Sequence, residues 1–325
     1  MANVLCLRPQ ADFSRVDALP PASLDVTYAK PDDAAVPKLI GAARALVIPA
    51  VGPKLSPALF EDCDLALVQV TGAGLDRLDK ATLTRLGIPV ANVPGGSNSA
   101  LAEYAVTTAS LLLRRFAWAD AEIKRGNYAA FRARMIADNL LGIEGLVVGV
   151  VGFGTIGAAV AQAFHRFGCR ITYYDPALAD RRVAEEIGAR ASELDQLLAA
   201  ADVVTIHVPL LPQTQKLIGE RELGLMKPGA VLIQASRGGI VDEAALAAGL
   251  VSGHLGGAAV DVYSTEPPGP DNPLLKLDGE AASRLLLTPH IAGVTRQSSA
   301  FLFRSAWDNV ERVLVRGEMP ANRAY

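Results

Sequence analysis

The chain is poor in the residues that staple small proteins or hold metals. Its three cysteines, Cys6, Cys63 and Cys169, are scattered and include no Cys-x-x-Cys pair. They read as small buried hydrophobes in a reducing compartment, so a cytoplasmic location is expected. Only four histidines are present, His165, His207, His254 and His290, and no two have metal-ligand spacing, which argues against a zinc or iron site. A basic excess is also missing: 31 Lys and Arg stand against 34 Asp and Glu, a net charge of −3, so nucleic acid is not an expected partner. No basic segment precedes the first apolar run, residues 4–7, which Arg8 and Pro9 cut short; no secretory leader is expected. Internal repeats and low-complexity tracts are absent. What remains is a composition of 50% hydrophobic and 20% charged residues, that of a folded chain rather than a disordered one. At 325 residues it is long enough for two domains with cores of their own.

Short β-branched runs alternate with longer Ala/Leu-rich stretches almost from end to end, the pattern of βαβ units around mostly parallel sheets. Strands are expected at 4–7, 26–28, 46–48, 67–70 and 88–92, enough for one small doubly wound domain. The turn cluster Pro94-Gly95-Gly96-Ser97-Asn98 ends that unit, and a helix is expected from Ser99 to about Trp118. A second series follows at 147–151, 171–174, 203–207, 230–235, 257–262 and 285–288, six strands that match a dinucleotide-binding sheet. From about Ile291 the tail reads as helical, with Phe301, Trp307, Val310 and Leu314 spaced for one apolar face.

Residues 146–164 carry no charge and are long enough to span a bilayer, but they contain Gly149, Gly152, Gly154 and Gly157. Gly152-Phe153-Gly154-Thr155-Ile156-Gly157 follows an apolar strand and opens an Ala-rich helix, the context that a Gly-x-Gly-x-x-Gly needs to mean dinucleotide binding. Gly152 permits the tight turn, Gly154 lets backbone approach a pyrophosphate, and Gly157 permits close helix packing. The unbonded N–H groups of the helix start then face the anion. Asp175 ends the next strand, 18 positions after Gly157, where a carboxylate accepts from ribose hydroxyls and repels a 2′-phosphate. NAD is therefore expected over NADP, with Arg181 and Arg182 just downstream as the residues that would favour the phosphate.

Three further residues sit where an open α/β sheet presents ligand-facing groups, just past apolar strands. They are Arg237 after 230–235, Glu266 after 257–262, and His290 after 285–288. Singly they read as a surface arginine, a solvated carboxylate and a turn histidine. Together, beside an expected cofactor loop, they form a candidate acid–base and anion-binding set.

The segments Thr71-Gly72-Ala73-Gly74-Leu75-Asp76, Gly152 to Gly157, His207-Val208-Pro209-Leu210, Ser236-Arg237-Gly238, 261–267 and Thr288-Pro289-His290 jointly resemble the D-isomer-specific 2-hydroxyacid dehydrogenase family. That family includes phosphoglycerate dehydrogenases and glyoxylate/hydroxypyruvate reductases, and the resemblance covers nearly the whole chain. It implies an α/β architecture of two doubly wound domains: a Rossmann NAD-binding domain (98–290) inserted in a flavodoxin-like, split substrate domain (1–97 with 291–325). It implies Arg237, Glu266 and His290 as catalytic residues, with His290 moving the hydroxyl proton, Glu266 stabilising its imidazolium, and Arg237 holding the substrate through paired planar donors. By the same resemblance the backbone at Ala73 and Gly74 grips the substrate carboxylate, and Asp261 faces the nicotinamide carboxamide. Thr155, Ile156, His207, Val208, Pro209, Thr214, Ala235, Ser236 and Gly293 are the further residues it assigns to the dinucleotide.

The departures bear on substrate. Formate dehydrogenases resembling this pattern have glutamine at the position of Glu266, and phosphite dehydrogenases have lysine at that of Ala73. Phosphoglycerate dehydrogenases commonly carry arginines where this chain has Pro49 and Val70. A small 2-hydroxy or 2-oxo acid without phosphate is thus the expected ligand. Arg132 and Arg134 are open to three readings: binding an anionic tail, solvated charges, or dimer contacts. Tyr104 stands where many relatives have histidine. A homodimer formed through residues 127–142 is the family expectation, with no membrane partner. The alternative reading is an NAD(H)-sensing, corepressor-like regulator on the same scaffold.

Overall fold

A computed structural model of the chain describes residues 2–177 and 180–325. The chain forms two compact units, Met1–Ser97 with Val294–Tyr325, and Asn98–Gly293. It leaves the first between Ser97 and Asn98 and returns between Gly293 and Val294, a few residues later than the expected crossing at His290.

In the first unit, β1 (Ala2–Cys6), β2 (Leu24–Tyr28), β3 (Ala45–Ile48), β4 (Leu67–Val70) and β5 (Val90–Ala91) pair in parallel in the order β2-β1-β3-β4-β5. This is the flavodoxin-like order. Central β3 and β4 are buried at every residue, as strands covered on both faces must be, and their sequences ALVI and LVQV are correspondingly apolar. The outer edge of β5 is closed by the chain's last residues, which pair with it through Ala324 N–H to Val90 O at 2.8 Å and Val90 N–H to Tyr325 O at 3.1 Å.

The helix Arg296–Leu314 belongs to this unit and begins later than expected. Ile291 and Ala292 give their N–H groups to a carboxylate instead of starting a helix, and Thr295 supplies the N-cap, accepting from Ser298 N–H at 3.1 Å. Its apolar face is Phe303, Ala306, Trp307 and Val310, packed on Val4, Phe13, Val47 and Leu67. Phe301 is 55% exposed, because at 100° per residue it lies off the stripe that the other four share.

In the second unit the strands are β6 (Val147–Val151), β7 (Arg170–Tyr174), β8 (Arg190–Ala191), β9 (Val203–Ile206), β10 (Val231–Gln234), β11 (Gly257–Val260) and β12 (Leu285–Leu287). All pair in parallel, in the order β12-β11-β10-β9-β6-β7-β8. Six of these correspond to the expected strands; the seventh, β8, is a two-residue exposed edge with no β-forming pattern to announce it. The order reverses between β6 and β9, and such a switch point opens a crevice at the carboxyl ends of the strands. Residues 146–164 are β6, the glycine loop and most of the helix Thr155–Arg166 rather than a membrane span. Among the described residues no helix is long and apolar enough to cross a membrane, and no three His, Cys, Asp or Glu side chains cluster so as to hold a metal ion.

The helix expected as far as Trp118 is broken: Asn98–Leu113 ends, and Phe116–Lys124 begins after Arg115, whose φ is +51°. Neither glycine nor proline marks that break. Tertiary partners hold it, since Arg115 reaches Asp138 and lies over the Trp118 ring at 5.4 Å.

Candidate active site

The glycine loop has the dimensions of a dinucleotide cradle. Gly152 sits at φ +89°, and a Cβ there would lie 2.7 Å from both the His207 carbonyl oxygen and Val208 Cγ1. A Cβ at Gly157 would overlap the Gly152 carbonyl oxygen, so only glycine lets the helix start this close to β6. At Gly154 a Cβ would meet nothing within 4 Å; this side of the loop is open. The first N–H bonded back onto the loop is that of Ala158, to Gly154 O at 2.9 Å, so the N–H groups ahead of it, at Thr155, Ile156 and Gly157, are those a helix start offers to an anion. Asp175 is tied to the same loop: Phe153 N–H donates to its Oδ2 at 2.8 Å and Ala177 N–H to its Oδ1 at 3.0 Å. Each oxygen keeps a lone pair for a ribose hydroxyl. Arg182, a possible phosphate partner, is paired with Asp180 at 2.6 Å. These residues fit NAD.

Past β9 the chain contributes backbone more than side chains. The His207 ring turns inward, Nε2 2.8 Å from Thr205 Oγ1 and Nδ1 closed to solvent without a partner. Burial pushes its pKa down to about 3, so the imidazole is neutral and structural. Thr214 caps the following turn, accepting from Leu211 N–H at 2.7 Å and donating to Pro209 O at 2.6 Å.

Three strand ends then lie side by side, because the ladder continues past the strands: Asp261 N–H reaches Gln234 O at 2.9 Å, Thr288 N–H reaches Val260 O at 3.0 Å, and His290 N–H reaches Asp261 O at 2.8 Å. Buried Gln234 shapes the turn after β10. Its Nε2 donates to Arg237 O at 2.8 Å and its Oε1 accepts from Ser236 Oγ at 2.8 Å. Ala235 stands between the two, half-buried. A Cβ on Gly238 would overlap the Tyr263 carbonyl oxygen, so this glycine lets the Arg237 turn press against the loop that carries Glu266.

Glu266 and His290, 24 positions apart, meet with Oε2 2.8 Å from Nδ1. An ionised carboxylate only accepts, so Nδ1 carries the hydrogen and Nε2 is left to exchange a proton. Glu266 Oε1 also accepts from Tyr263 N–H at 3.1 Å, which fixes the carboxylate's rotamer. The two side chains keep about a quarter of their surface exposed, 26% for His290 and 29% for Glu266. His290 itself has φ +56°, a left-handed conformation that costs an ordinary residue roughly 1–2 kcal/mol.

Asp261 holds it there. The resemblance implies that this carboxylate faces a carboxamide; here it is 1% exposed and occupied by the turn. Oδ1 accepts from Thr288 Oγ1 at 2.6 Å and Ile291 N–H at 2.8 Å, and Oδ2 accepts from Ala292 N–H at 2.8 Å. Gly293 closes the same turn as the last residue of the unit.

In the first unit the turn after β4 has two of its carbonyls held by neighbouring residues. Val93 N–H takes Gly72 O at 2.9 Å and Asn92 Nδ2 takes Ala73 O at 2.8 Å. In a trans peptide the N–H points opposite to the C=O, so the N–H groups of Ala73 and Gly74 face away from those partners. Arg77, 3% exposed, anchors the neighbouring loop by donating Nε to Pro53 O at 2.9 Å and Nη1 to Pro49 O at 3.0 Å. The two segments touch where a Cβ on Gly72 would come within 2.8 Å of Ala50 Cβ.

Sequence reasoning missed Gln234, Thr288, Asn92 and Arg77. Gln234, Thr288 and Asn92 are polar residues at or just beyond the end of a strand, the one signal available for them, whereas Arg77 lies in the loop well past β4 and carried no such signal. Arg134 pairs with Glu280 at 2.7 Å and lies over the Trp118 ring at 4.5 Å, while Arg132 is exposed.

Residues 106–292, more than half of the chain, match the family model described as D-isomer specific 2-hydroxyacid dehydrogenase, NAD binding domain. The chain belongs to the D-isomer-specific 2-hydroxyacid dehydrogenase family. Its cofactor is accordingly NAD. Among curated relatives it is 39% identical over 237 residues to a D-3-phosphoglycerate dehydrogenase of Archaeoglobus fulgidus, covering 72% of this chain and 42% of that one. It is 36% identical over 270 residues to a glyoxylate reductase of Aeropyrum pernix, covering 80% and 78%. The match therefore spans about two fifths of the first relative and about three quarters of the second. Among solved structures, a Thermus thermophilus protein superposes with a TM-score of 0.83 at 29% identity, over 99% of this chain and 100% of that one. The apo form of Rhodotorula graminis D-mandelate dehydrogenase does so at 0.82 and 25%, over 100% and 97%. This 2-hydroxyacid dehydrogenase family member thus has the family's two-domain, parallel-sheet fold.

Proposed function

We propose that this family member is an NAD-dependent oxidoreductase interconverting a small, unphosphorylated D-2-hydroxy acid and its 2-oxo acid. The observation that carries the reading is the 2.8 Å pairing of His290 Nδ1 with Glu266, which leaves Nε2 as the proton-exchanging atom. NADH, held by the glycine loop and Asp175, would supply the hydride for reduction at C2. His290 Nε2 gives its proton to the ketone oxygen as the C=O bond becomes C–OH, and in the reverse direction it takes that proton back. Glu266 stabilises the imidazolium before the transfer and keeps the ring in one tautomer after it. Arg237 presents paired donors to the carboxylate or carbonyl oxygen of the substrate. The N–H groups of Ala73 and Gly74 bind the carboxylate as well.

Pro49 and Val70, the latter 1% exposed, favour an uncharged tail over a phosphate. We assign it to the reducing cytoplasm on its three free thiols. A homodimer is expected through the region of Tyr128, Ile136 and Leu141, which are 63%, 63% and 47% exposed.

The test is NADH oxidation with glyoxylate, hydroxypyruvate, pyruvate and longer 2-oxo acids. Turnover with one or more supports the proposal. Tight NADH binding with no turnover on any of them overturns it in favour of the NAD(H)-sensing reading.

A further inference from the structure

Tyr104 lies on the helix Asn98–Leu113, far in sequence from every residue named in the chemistry. Its hydroxyl nevertheless sits 2.8 Å from Thr288 Oγ1, and Thr288 Oγ1 donates to Asp261 Oδ1 at 2.6 Å. A threonine hydroxyl has a single hydrogen, and that hydrogen goes to the carboxylate. The bond with Tyr104 must then run from the phenol to the threonine lone pair. Burial pushes the phenol up to about 12, so it stays a donor at any working pH. The chain of donors is directional, Tyr104 to Thr288 to Asp261, and it ends on the carboxylate that receives the N–H groups of Ile291 and Ala292, directly after the left-handed His290. Thr288 is gripped from its other side too, since Tyr263 donates its hydroxyl to Thr288 O at 3.0 Å while Tyr263 N–H holds Glu266.

We propose that Tyr104 is a positioning residue: through Thr288 and Asp261 it locks the turn that presents His290, coupling the first helix of the cofactor-binding unit to the acid–base group. A purely space-filling tyrosine would need no hydroxyl here, and phenylalanine would serve as well. With the hydroxyl gone, Thr288 loses one restraint, Asp261 becomes freer to rotate, and the left-handed residue relaxes more often. The kinetic part of this inference rests on the acid–base role of His290; the structural part does not.

The experiment compares the protein with its Tyr104→Phe variant by site-resolved amide hydrogen exchange and by steady-state kinetics. Loss of one hydrogen bond of ordinary strength should speed exchange at Ile291 and Ala292 by about threefold to tenfold. It should lower kcat by a similar factor while KM for NADH and for the 2-oxo acid stays within about twofold. Thr288→Val should do the same more strongly, Thr288→Ser should not, and Tyr104→Phe added to Thr288→Val should change nothing further. Unchanged exchange at 291 and 292 in folded Tyr104→Phe overturns the proposal, as does a KM effect as large as the kcat effect. If the protein turned over no 2-oxo acid at all, the functional reading would fail while the exchange result still decided this one.

Discussion

The two units stiffen the loops at the ends of their parallel strands with opposite kinds of hydrogen-bonding group, donors in the first and a carboxylate in the second. In the first, Arg77 gathers the carbonyls of Pro49 and Pro53, while Asn92 and Val93 take those of Ala73 and Gly72. In the second, Asp261 gathers the amides of Ile291 and Ala292 and the hydroxyl of Thr288. Where the carbonyls of Gly72 and Ala73 are held, the amides of Ala73 and Gly74 face the other way. Where amides are held inside, the backbone is silent and the turn displays a side chain. The first turn thus leaves the amides of Ala73 and Gly74 turned away from its bonded carbonyls, and the second presents the side chain of His290 beside Glu266.

Breaking each anchor should therefore give different failures. Asp261→Ala strands three donors, of which the Ala292 N–H is buried and costs roughly 1–3 kcal/mol, and frees His290 from its left-handed state. We expect kcat to fall by about 10²-fold or more, with Asp261→Asn in between because its amide oxygen still accepts; stopped-flow turnover reads both. Arg77→Met strands two carbonyls instead, loosening residues 49–53. The expected signature is KM for the 2-oxo acid raised about tenfold with kcat within about threefold, and KM for NADH unmoved. Equal kcat losses in both variants would erase the distinction.

A further prediction concerns stability rather than turnover. Burial lowers the His207 pKa to about 3 in the folded protein, against an unfolded value of about 6.5. Between these values the unfolded chain binds the extra proton, so stability falls as pH drops below about 6.5 and goes on falling to about 3. His207→Asn should flatten that part of the pH–stability curve in denaturant melts. An identical slope in both proteins would contradict the buried, neutral imidazole.

Much of this was legible in the sequence where the chemistry is local. Gly152, Gly154, Gly157 and Asp175 belong to one strand–turn–helix–strand unit, and at Gly152 and Gly157 a side chain would collide with the loop itself. The apolar runs became strands because parallel sheets covered on both faces leave no polar alternation to confuse the pattern. The pairing of Glu266 with His290 came only through family resemblance, since it depends on the register of β11 against β12. The same register gives Asp261 its partners in the turn after β12. Arg115 breaks a helix through partners at Asp138 and Trp118 that no local signal announces. Phe301 and Phe303, two residues apart, differ only in helical phase, and 303 is the one that meets the core.

The account stands most directly on His290 and Glu266 acting as one unit, which a double-mutant cycle in kcat/KM for the preferred 2-oxo acid measures. His290→Ala should lower kcat/KM by about 10²- to 10⁴-fold, and adding Glu266→Ala to it should cost less than about threefold more, because the carboxylate acts through the imidazole. Activity of His290→Ala within about threefold of the parent, or penalties that simply multiply, would contradict it.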